Sequence, residues 1–463
     1  MQIMMLRKYK MKKIILTIFT MIFCIQALSA KESDVILSEA LKYTKLSKGS
    51  VSLSIRDLKT GNIVKELNSD VQVSPASTQK ILTFFASKKT LGEDYKFSTK
   101  LYKSKNCDYY IKLGADPYLI SSDLKELISH IDVPKNGVLK NFYIDDTVLD
   151  NNNWGEGWQW DDSLNILMPK FGSYNIDKNL YTIIIRPTKI SNPANIFTEI
   201  FYPTTFINKT ITTLNINNVK ITKEDNDISP DALTVSGEVD KTTKIRVPVN
   251  YLRRYFILRL DDAFSANKIS YAGKYERVKV PANAELIAYT EHPFGKAEED
   301  ILKNSNNLVA ETVFKLAGGK YASNTGSYAN AMAMFNNYCS ENKIDCSNIR
   351  LTDGSGVSKN NLVTADFMTQ YLVQTAKIYD YEELKRLLPT SGEGTLKNRM
   401  PMLKDKIYAK TGTLSNISGI TGYIDTEKGK TYAFAIYIND GKSSESSQKL
   451  FEEIVLRGIY KRL

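Results

Sequence analysis

The sequence is 463 residues long, with 42% hydrophobic residues, 24% charged residues and a formal net charge of +11. This composition is ordinary for a folded chain and excludes disorder as its main state, while the length allows roughly three domains of ~150 residues each. The basic balance favours loose association with anionic surroundings, but it identifies no ligand.

Residues 1–30 have the pattern of a secretory signal peptide. Basic residues precede an apolar run at 14–25, and the small residues Ala27, Ser29 and Ala30 follow it. Because the run is shorter than the ~20 residues that span a bilayer, we expect export and cleavage, with a membrane anchor as the alternative. Cleavage after Ser29 would use Ala27 and Ser29, whereas cleavage after Ala30 would put Leu28 where a small residue is preferred, so the exact bond is undecided. Met11 is a second candidate start. The pattern predicts a periplasmic or otherwise extracytoplasmic protein.

The first elements of the mature chain are a predicted helix over residues 32–45 and a β-hairpin of residues 51–55 and 63–67. The hairpin turns at residues 59–62. Ser74 and Pro75 then give the start signal of a second helix.

The residue pattern of 96–284 differs from that of the preceding part of the chain. It has many short β-rich runs, such as 181–185, 210–216 and 244–249, broken by Asn, Asp and Pro. This pattern predicts a separate β-rich accessory region. Helices follow at 301–316 and 322–342, then a hairpin of 419–424 and 431–438, and a last amphipathic helix at 446–460. We therefore expect one domain in two parts, residues 31–95 and 285–463, interrupted by the accessory region.

Three cysteines remain once residues 1–30 are removed. Cys339 and Cys346 are close enough in sequence for a local disulfide in an oxidising compartment, with two free thiols as the alternative. Cys107 has no neighbouring ligand residue with metal-site spacing, so we expect a buried or edge thiol.

Histidine-dependent serine chemistry and zinc chemistry are disfavoured. The mature chain has only His130 and His292, and neither lies near a G-x-S-x-G or H-E-x-x-H motif. Gly318-Gly319-Lys320 lacks the earlier glycine of a phosphate-binding loop. The sequence therefore predicts no metal and no cofactor, and the export signal argues against a nucleic-acid partner.

A histidine-free set of serine and lysine motifs remains, each weak by itself. K-T-G occurs at Lys59 and Lys410, and S-x-x-K occurs at Ser77, Ser122, Ser265, Ser340 and Ser446. Only Ser77 and Lys80 open an apolar helix after a proline, where i,i+3 spacing puts both side chains on one face near the helix N-terminus. Ser77 is therefore the candidate nucleophile, with Lys80 as a base whose pKa burial would lower.

Ser305 and Asn307 lie in a polar Ser-Asn-Asn stretch at the opening of a helical run. A hydroxyl and an amide there can face a cleft, so Ser305 is a candidate proton relay and Asn307 a candidate ligand of the substrate backbone. The structural alternatives are an N-cap at Ser77 and a helix-start turn at Ser305. Three motifs in order, each in a fitting context, outweigh these alternatives.

The third motif follows a strand signal at residues 407–409. Lys410, Thr411 and Thr413 are candidate ligands of a peptide's terminal carboxylate, and Gly412 permits close approach of the substrate. The backbone N–H groups of Ser77 and Thr413 would form an oxyanion hole. A hairpin turn, like the one at Lys59, is the alternative for Lys410.

Together these residues make the chain resemble the class C low-molecular-mass penicillin-binding proteins, a family of D-alanyl-D-alanine carboxypeptidases and endopeptidases. The similar segments are Pro75-Ala76-Ser77-Thr78-Gln79-Lys80, Gly114-Ala115-Asp116-Pro117, Gly157-Trp158-Gln159-Trp160, Asp353-Gly354-Ser355-Gly356, Gly394-Thr395-Leu396 and Lys410-Thr411-Gly412-Thr413. The resemblance implies an α/β catalytic domain of the serine penicillin-binding and β-lactamase type, with an antiparallel sheet between helices. It also implies peptidoglycan stem peptides and β-lactams as partners.

Two positions bear on substrate recognition. Lys359 stands where this family usually has an arginine that contacts the substrate side chain, and a lysine loses the bidentate fork. Asp162 is similar to the family acid that binds the free amine of a diaminopimelate side chain, with a solvated loop acid as the alternative. A β-lactamase and a non-catalytic wall-binding or penicillin-sensing protein are the other functions considered, although a sensor is expected to lose Lys80 or Lys410.

Overall fold

The computed structural model describes residues 34–133, 138–223 and 232–463. The predicted signal peptide lies outside these residues. No helix among the described residues has the length and apolar content that a membrane crossing requires.

The described elements alternate between helical and β-rich parts of the chain. In chain order the α-helices are α1 (34–44), α2 (Lys80–Leu91), α3 (Ser121–Ser129), α4 (Leu252–Ala266), α5 (Gly295–Leu302), α6 (Asn307–Ala322), α7 (Tyr328–Glu341), α8 (Ala365–Ile378), α9 (Tyr381–Leu387) and α10 (Glu445–Arg462). The strands are β1 (Val51–Asp57), β2 (Ile63–Leu67), β3 (Lys96–Lys103), β4 (Tyr109–Lys112), β5 (Phe142–Asp145), β6 (Leu180–Arg186), β7 (Asn195–Thr198), β8 (Thr205–Thr212), β9 (Lys220–Lys223), β10 (Ala232–Val239), β11 (Thr243–Pro248), β12 (Glu276–Arg277), β13 (Glu285–Pro293), β14 (Ile407–Leu414), β15 (Ile417–Asp425) and β16 (Thr431–Asn439).

A five-stranded antiparallel sheet, in the order β14-β15-β16-β1-β2, carries the domain that is split in sequence. The three central strands, β15, β16 and β1, are buried on both faces because their side chains alternate between two helical layers. Tyr408, Tyr423 and Tyr437 face the core formed with α2 and α6 to α8. Phe434 and Ile436 belong to a second core with α1 and α10. The arrangement is helix, sheet, helix.

Both predicted hairpins of this domain are confirmed, at β1 and β2 and at β15 and β16. The predicted first and last helices are confirmed as α1 and α10. The Lys-Thr-Gly sequence at Lys59 lies in the turn between β1 and β2, so it is the hairpin turn that the sequence allowed.

The predicted helix over residues 301–316 is wrong as a single element. The chain forms α5 and α6 instead, and the break falls at Ser305, whose φ of 58° is incompatible with a continuous right-handed helix. The next helix, α7, begins at Tyr328 and not near residue 322. In this region the helical spacing of apolar residues continues through a polar turn, so the spacing alone does not reveal the break.

The inserted region is β-rich, as expected, and also contains α3 and α4. Its sheets have the orders β12-β5-β4-β3-β13, β8-β10-β9 and β11-β6-β7, and they share one apolar core with α4. The domain limits stay a prediction. The pairing of β13 with β3 adds residues 285–293 to the first of these sheets, beyond the expected limit at 284.

The three described cysteines are free thiols. Cys339 is buried in α7 and Cys346 is half-buried, and burial together with the neighbouring Cys346 raises the pKa of the Cys339 thiol. Cys107 is exposed in the turn between β3 and β4, so the expectation of a buried or edge thiol was wrong.

Candidate active site

Ser77 lies in a short 3₁₀ turn, Ala76–Gln79, directly before α2. The turn is fixed from beneath, because the Thr78 hydroxyl donates to the Pro75 carbonyl at 2.7 Å and lies 3.0 Å from the Tyr437 hydroxyl of β16. The Ser77 side chain is half-buried, unlike Thr78 below it. The hydroxyl of Ser77 is therefore held at the end of a helix while remaining open on one side.

Lys80 is completely buried, and its Nζ has three oxygen neighbours. These are Ser77 Oγ at 2.9 Å, Asn307 Oδ1 at 2.7 Å and the Ser355 carbonyl at 2.7 Å. The amide oxygen and the carbonyl can only accept hydrogen bonds, whereas a serine hydroxyl can also donate. A neutral Lys80 has two N–H groups for these two acceptors, so its lone pair points at the Ser77 hydroxyl.

Burial lowers the pKa of Lys80 to about 7, against the opposing charges of Asp353 and Glu311. Burial also holds the pKa of Lys410 well below its ordinary value, and the nearby Lys80 adds to the effect. An amine with a pKa near neutrality exists partly as the free base, which is the form that accepts a proton.

Lys410 lies in β14, at the edge of the sheet, and is fully buried. Its Nζ donates to the Thr411 carbonyl at 2.8 Å. A Cβ added to Gly412 would lie 2.9 Å from the Ser77 backbone nitrogen and 2.8 Å from the Pro75 carbonyl. The glycine therefore lets the strand pass directly against the Ser77 turn. Thr411 is half-buried and Thr413 is exposed on the same strand.

Ser305 and Asn307 flank the start of α6. Asn307 is its first residue, and its amide bridges two parts of the chain by accepting from Lys80 and donating to the Leu167 carbonyl at 2.8 Å. Ser305 is half-buried in the turn before the helix, and its side chain makes no hydrogen bond within the described part of the chain. The left-handed backbone at Ser305 turns the chain from α5 into α6.

Asp353 anchors the loop that supplies the Ser355 carbonyl. Its carboxylate accepts from the Gly356 N–H at 2.8 Å, the Ser358 N–H at 2.7 Å and the Trp158 indole N–H at 2.9 Å. Trp158 thereby ties the inserted region to this loop. The motifs in the sequence included both segments but gave no indication of the hydrogen bond between them.

Asp162 and Lys359 lie on two loops that touch. A Cβ at Gly157 would lie 2.6 Å from Ser358 Oγ and 2.7 Å from Asn360 Nδ2, so the segment before Asp162 packs on the loop of Lys359. Asp162 is half-buried in the 3₁₀ turn Trp160–Leu164, and Lys359 is exposed. The described residues offer neither side chain a hydrogen-bond or ion-pair partner.

The other S-x-x-K matches differ from the first in burial. Their serines are all exposed on or at the ends of helices: Ser122, Ser265, Ser340 and Ser446. A buried lysine follows at the third position only after Ser77. Nor do the described residues contain a group of His, Cys, Asp or Glu side chains that could hold a metal ion.

Residues 34–457 match the D-Ala-D-Ala carboxypeptidase 3 (S13) family. The chain belongs to this family. The resemblance inferred from the motifs is thereby confirmed, and the protein is a serine peptidase of the D-Ala-D-Ala carboxypeptidase type.

Two relatives illustrate how far this S13 chain has diverged. It is 25% identical over 456 residues to the D-alanyl-D-alanine carboxypeptidase DacB of Haemophilus influenzae, covering 90% of this chain and 92% of the relative. It is also 25% identical over 444 residues to the D-alanyl-D-alanine carboxypeptidase of Actinomadura sp. strain R39, covering 88% and 81%. The crystal structure of penicillin binding protein 4 from Haemophilus influenzae has the same fold, with a TM-score of 0.79, 22% identity and coverage of 92% and 99%.

Sequence analysis of this S13 chain missed Glu311. It lies four residues after Asn307 on α6, so the two side chains share one helix face. The signal was a lone carboxylate within an apolar helix, which needs buried partners. The structure supplies them from the loop that Asp353 anchors.

Proposed function

We propose that Ser77 is the nucleophile of this D-Ala-D-Ala carboxypeptidase and forms an acyl-enzyme with peptidoglycan stem peptides and with β-lactams. The observation that carries the proposal is the position of Lys80. Its amine is buried, has a pKa of about 7 and lies 2.9 Å from Ser77 Oγ, while its N–H groups donate to the oxygens of Asn307 and Ser355.

In the first step the neutral Lys80 takes the proton of the Ser77 hydroxyl as Oγ attacks the carbonyl carbon of the penultimate D-alanine. The C–N bond to the terminal D-alanine breaks, and its amine leaves with a proton returned from Lys80, directly or through Ser305. Water then attacks the ester and gives a proton to the same base. The C–O bond to Ser77 breaks, Lys80 returns the proton to Oγ, and the shortened peptide leaves. This sequence splits one difficult hydrolysis into two easier acyl transfers.

The proposed substrate contacts lie on β14. Gly412 abuts the Ser77 turn, which supports an oxyanion hole built from the N–H groups of Ser77 and Thr413. Lys410, with Thr411 and Thr413, would hold the terminal carboxylate. Burial disfavours the charged form of Lys410, and an incoming carboxylate would raise its pKa.

We also propose that the protein works outside the cytoplasm after loss of residues 1–30, and that endopeptidase action accompanies carboxypeptidase action. The signal-peptide pattern supports the first proposal. Cross-linked stem peptides carry the same D-alanyl bond, and this supports the second. Digestion of purified peptidoglycan, with fragments identified by mass, measures the balance of the two activities.

Intact-protein mass spectrometry after penicillin treatment tests the nucleophile. Wild-type protein should carry one adduct, Ser77→Ala none, and the matched variant Ser340→Ala the full adduct. Turnover of a D-Ala-D-Ala peptide should follow the same order. An undiminished adduct in Ser77→Ala would refute the assignment. Labelling without peptide turnover would favour a penicillin sensor, and rapid loss of the adduct would favour a β-lactamase.

A further inference from the structure

Glu311 lies behind the catalytic lysine, completely buried near the start of α6. One carboxylate oxygen accepts from the Ser355 N–H at 2.7 Å. The other accepts from the Gly354 N–H at 2.9 Å and from the Tyr328 hydroxyl of α7 at 2.6 Å. The carboxylate thus accepts from two consecutive backbone N–H groups, and this fixes the orientation of the peptide groups of Gly354 and Ser355.

The backbone that Glu311 holds is the one that orients Lys80. The carbonyl of Ser355 accepts from Lys80 Nζ at 2.7 Å, and its N–H donates to Glu311. The backbone of Ser355 is therefore bonded on both sides, to Glu311 and to Lys80. The Thr83 hydroxyl of α2 holds the preceding carbonyl, that of Gly354, at 2.6 Å.

We propose that Glu311 is a positioning residue for catalysis, which aims the lone pair of Lys80 at Ser77 through the backbone of Gly354 and Ser355. The inference rests on the proposed role of Ser77 and Lys80 and adds a group that touches neither substrate nor nucleophile. If the hydrogen bonds from Gly354 and Ser355 to Glu311 are lost, the Ser355 carbonyl moves, and an N–H of Lys80 is free to turn toward Ser77. The Ser77 hydroxyl then faces an N–H of Lys80 instead of its lone pair.

The charge of Glu311 has a second consequence. Its carboxylate faces Lys80 from α2, Asp353 from the loop and Tyr328 from α7. Burial and the charge of Asp353 raise the pKa of Glu311 to about 7, whereas its own charge favours the protonated form of Lys80. Removing that charge lowers the pKa of Lys80 further, so more of the lysine is free base at a given pH.

The test measures the second-order rate constant of β-lactam acylation against pH for full-length wild type, Glu311→Gln and Glu311→Asp. Glu311→Gln keeps the shape but turns an N–H donor toward backbone N–H groups. We expect its rate constant to fall roughly ten- to a hundred-fold, the size of effect that a misplaced catalytic group produces. The acid limb of its pH profile should also move to lower pH.

Glu311→Asp keeps the charge and shortens the reach, so its rate should fall with the acid limb near the wild-type position. Glu452→Gln is the matched control, since Glu452 of α10, across the sheet, is an equally buried carboxylate that accepts from Ser418 and Arg399. It should lower the melting temperature and leave the profile unchanged.

A wild-type rate in Glu311→Asp overturns the proposal, and so does a lower rate in Glu311→Gln with an unmoved acid limb, which a merely structural role predicts. If Glu311→Gln does not fold, the Glu311→Asp rate decides alone. Failure of the proposed function is distinguishable, because it would leave wild-type protein itself without an adduct on Ser77.

Discussion

Trp158 donates its indole N–H to the buried carboxylate of Asp353 at 2.9 Å, and this bond joins the inserted region to the loop beside Lys80. Asp353 organises that loop through its backbone bonds to Gly356 and Ser358. The inserted region therefore does more than lie next to the site, because it completes the hydrogen bonding of a group that shapes the site.

Replacing Trp158 by Phe removes one donor from a buried carboxylate and keeps an aromatic ring. We expect the free energy of unfolding to fall by roughly 1.5–3 kcal/mol, as for hydrogen bonds to charged groups. Chemical denaturation of both proteins measures it. Trp154→Phe is the control, since Trp154 donates at 3.3 Å to the neutral carbonyl of Trp158. Equal losses in the two variants would contradict a special role for the bond to Asp353.

Lys80→Met should abolish acylation and stabilise the protein at neutral pH. Burial lowers the pKa of Lys80 from 10.5 to about 7. The wild type therefore loses stability as the pH falls from 10.5 toward 7, because the unfolded chain takes up a proton that the buried amine does not. A shift of this size corresponds to roughly 4–5 kcal/mol. The gain in melting temperature should be largest at pH 6 to 7 and shrink toward pH 10. A gain that is independent of pH would argue against a charge-based cost.

Lys410→Ala should impair substrates with a free carboxylate more than uncharged esters. In the proposed mechanism the lost group binds carboxylate, whereas Lys80 would still activate Ser77 in the variant. We expect kcat/KM for the D-Ala-D-Ala peptide to fall by roughly ten- to a hundred-fold more than for the ester, from the loss of one charge-assisted hydrogen bond. Parallel steady-state assays on both substrates measure it. Equal losses would mean that Lys410 acts in the chemical step.

Asp162→Asn tests recognition of the substrate side chain. If Asp162 pairs with a free amine at the mouth of the site, its loss should lower kcat/KM roughly ten-fold for peptides with that amine. N-acetylated peptides and simple β-lactams should be unaffected. Measurements on both peptides decide the question. An unchanged activity ratio would make Asp162 a surface acid.

Gly356→Ala should be far more damaging than Gly429→Ala. Both glycines have positive φ, 80° and 74°, and the left-handed backbone alone costs about 1–2 kcal/mol for an alanine. A Cβ at Gly356 would also lie 1.9 Å from the Ala76 carbonyl, whereas the space around Gly429 is open within 4 Å. We expect Gly356→Ala to have a much lower melting temperature and no β-lactam labelling, and Gly429→Ala to have a slightly lower melting temperature and full labelling. Similar behaviour of the two variants would show that the loop and the Ser77 turn can separate.

Local sequence patterns predicted much of the sheet against which the site is built. Alternating apolar residues gave the hairpins of β1 and β2 and of β15 and β16, because each strand is bounded by turn residues and packs within a short range of sequence. The same reasoning failed at Ser305, where apolar spacing continues across a left-handed residue. Periodicity reports which face is buried and carries no information on a single reversed φ.

The sequence by itself determined the candidate nucleophile, because i,i+3 spacing at a helix start puts Ser77 and Lys80 together whatever the rest of the chain does. Only the tertiary structure decided the hydrogen-bond partners and the pKa of Lys80. Asn307 and Ser355 reach it from 227 and 275 residues away, and their acceptor oxygens direct its lone pair. Its pKa depends on burial by helices and strands from both parts of the split domain, and burial is a property of packing that no local pattern contains.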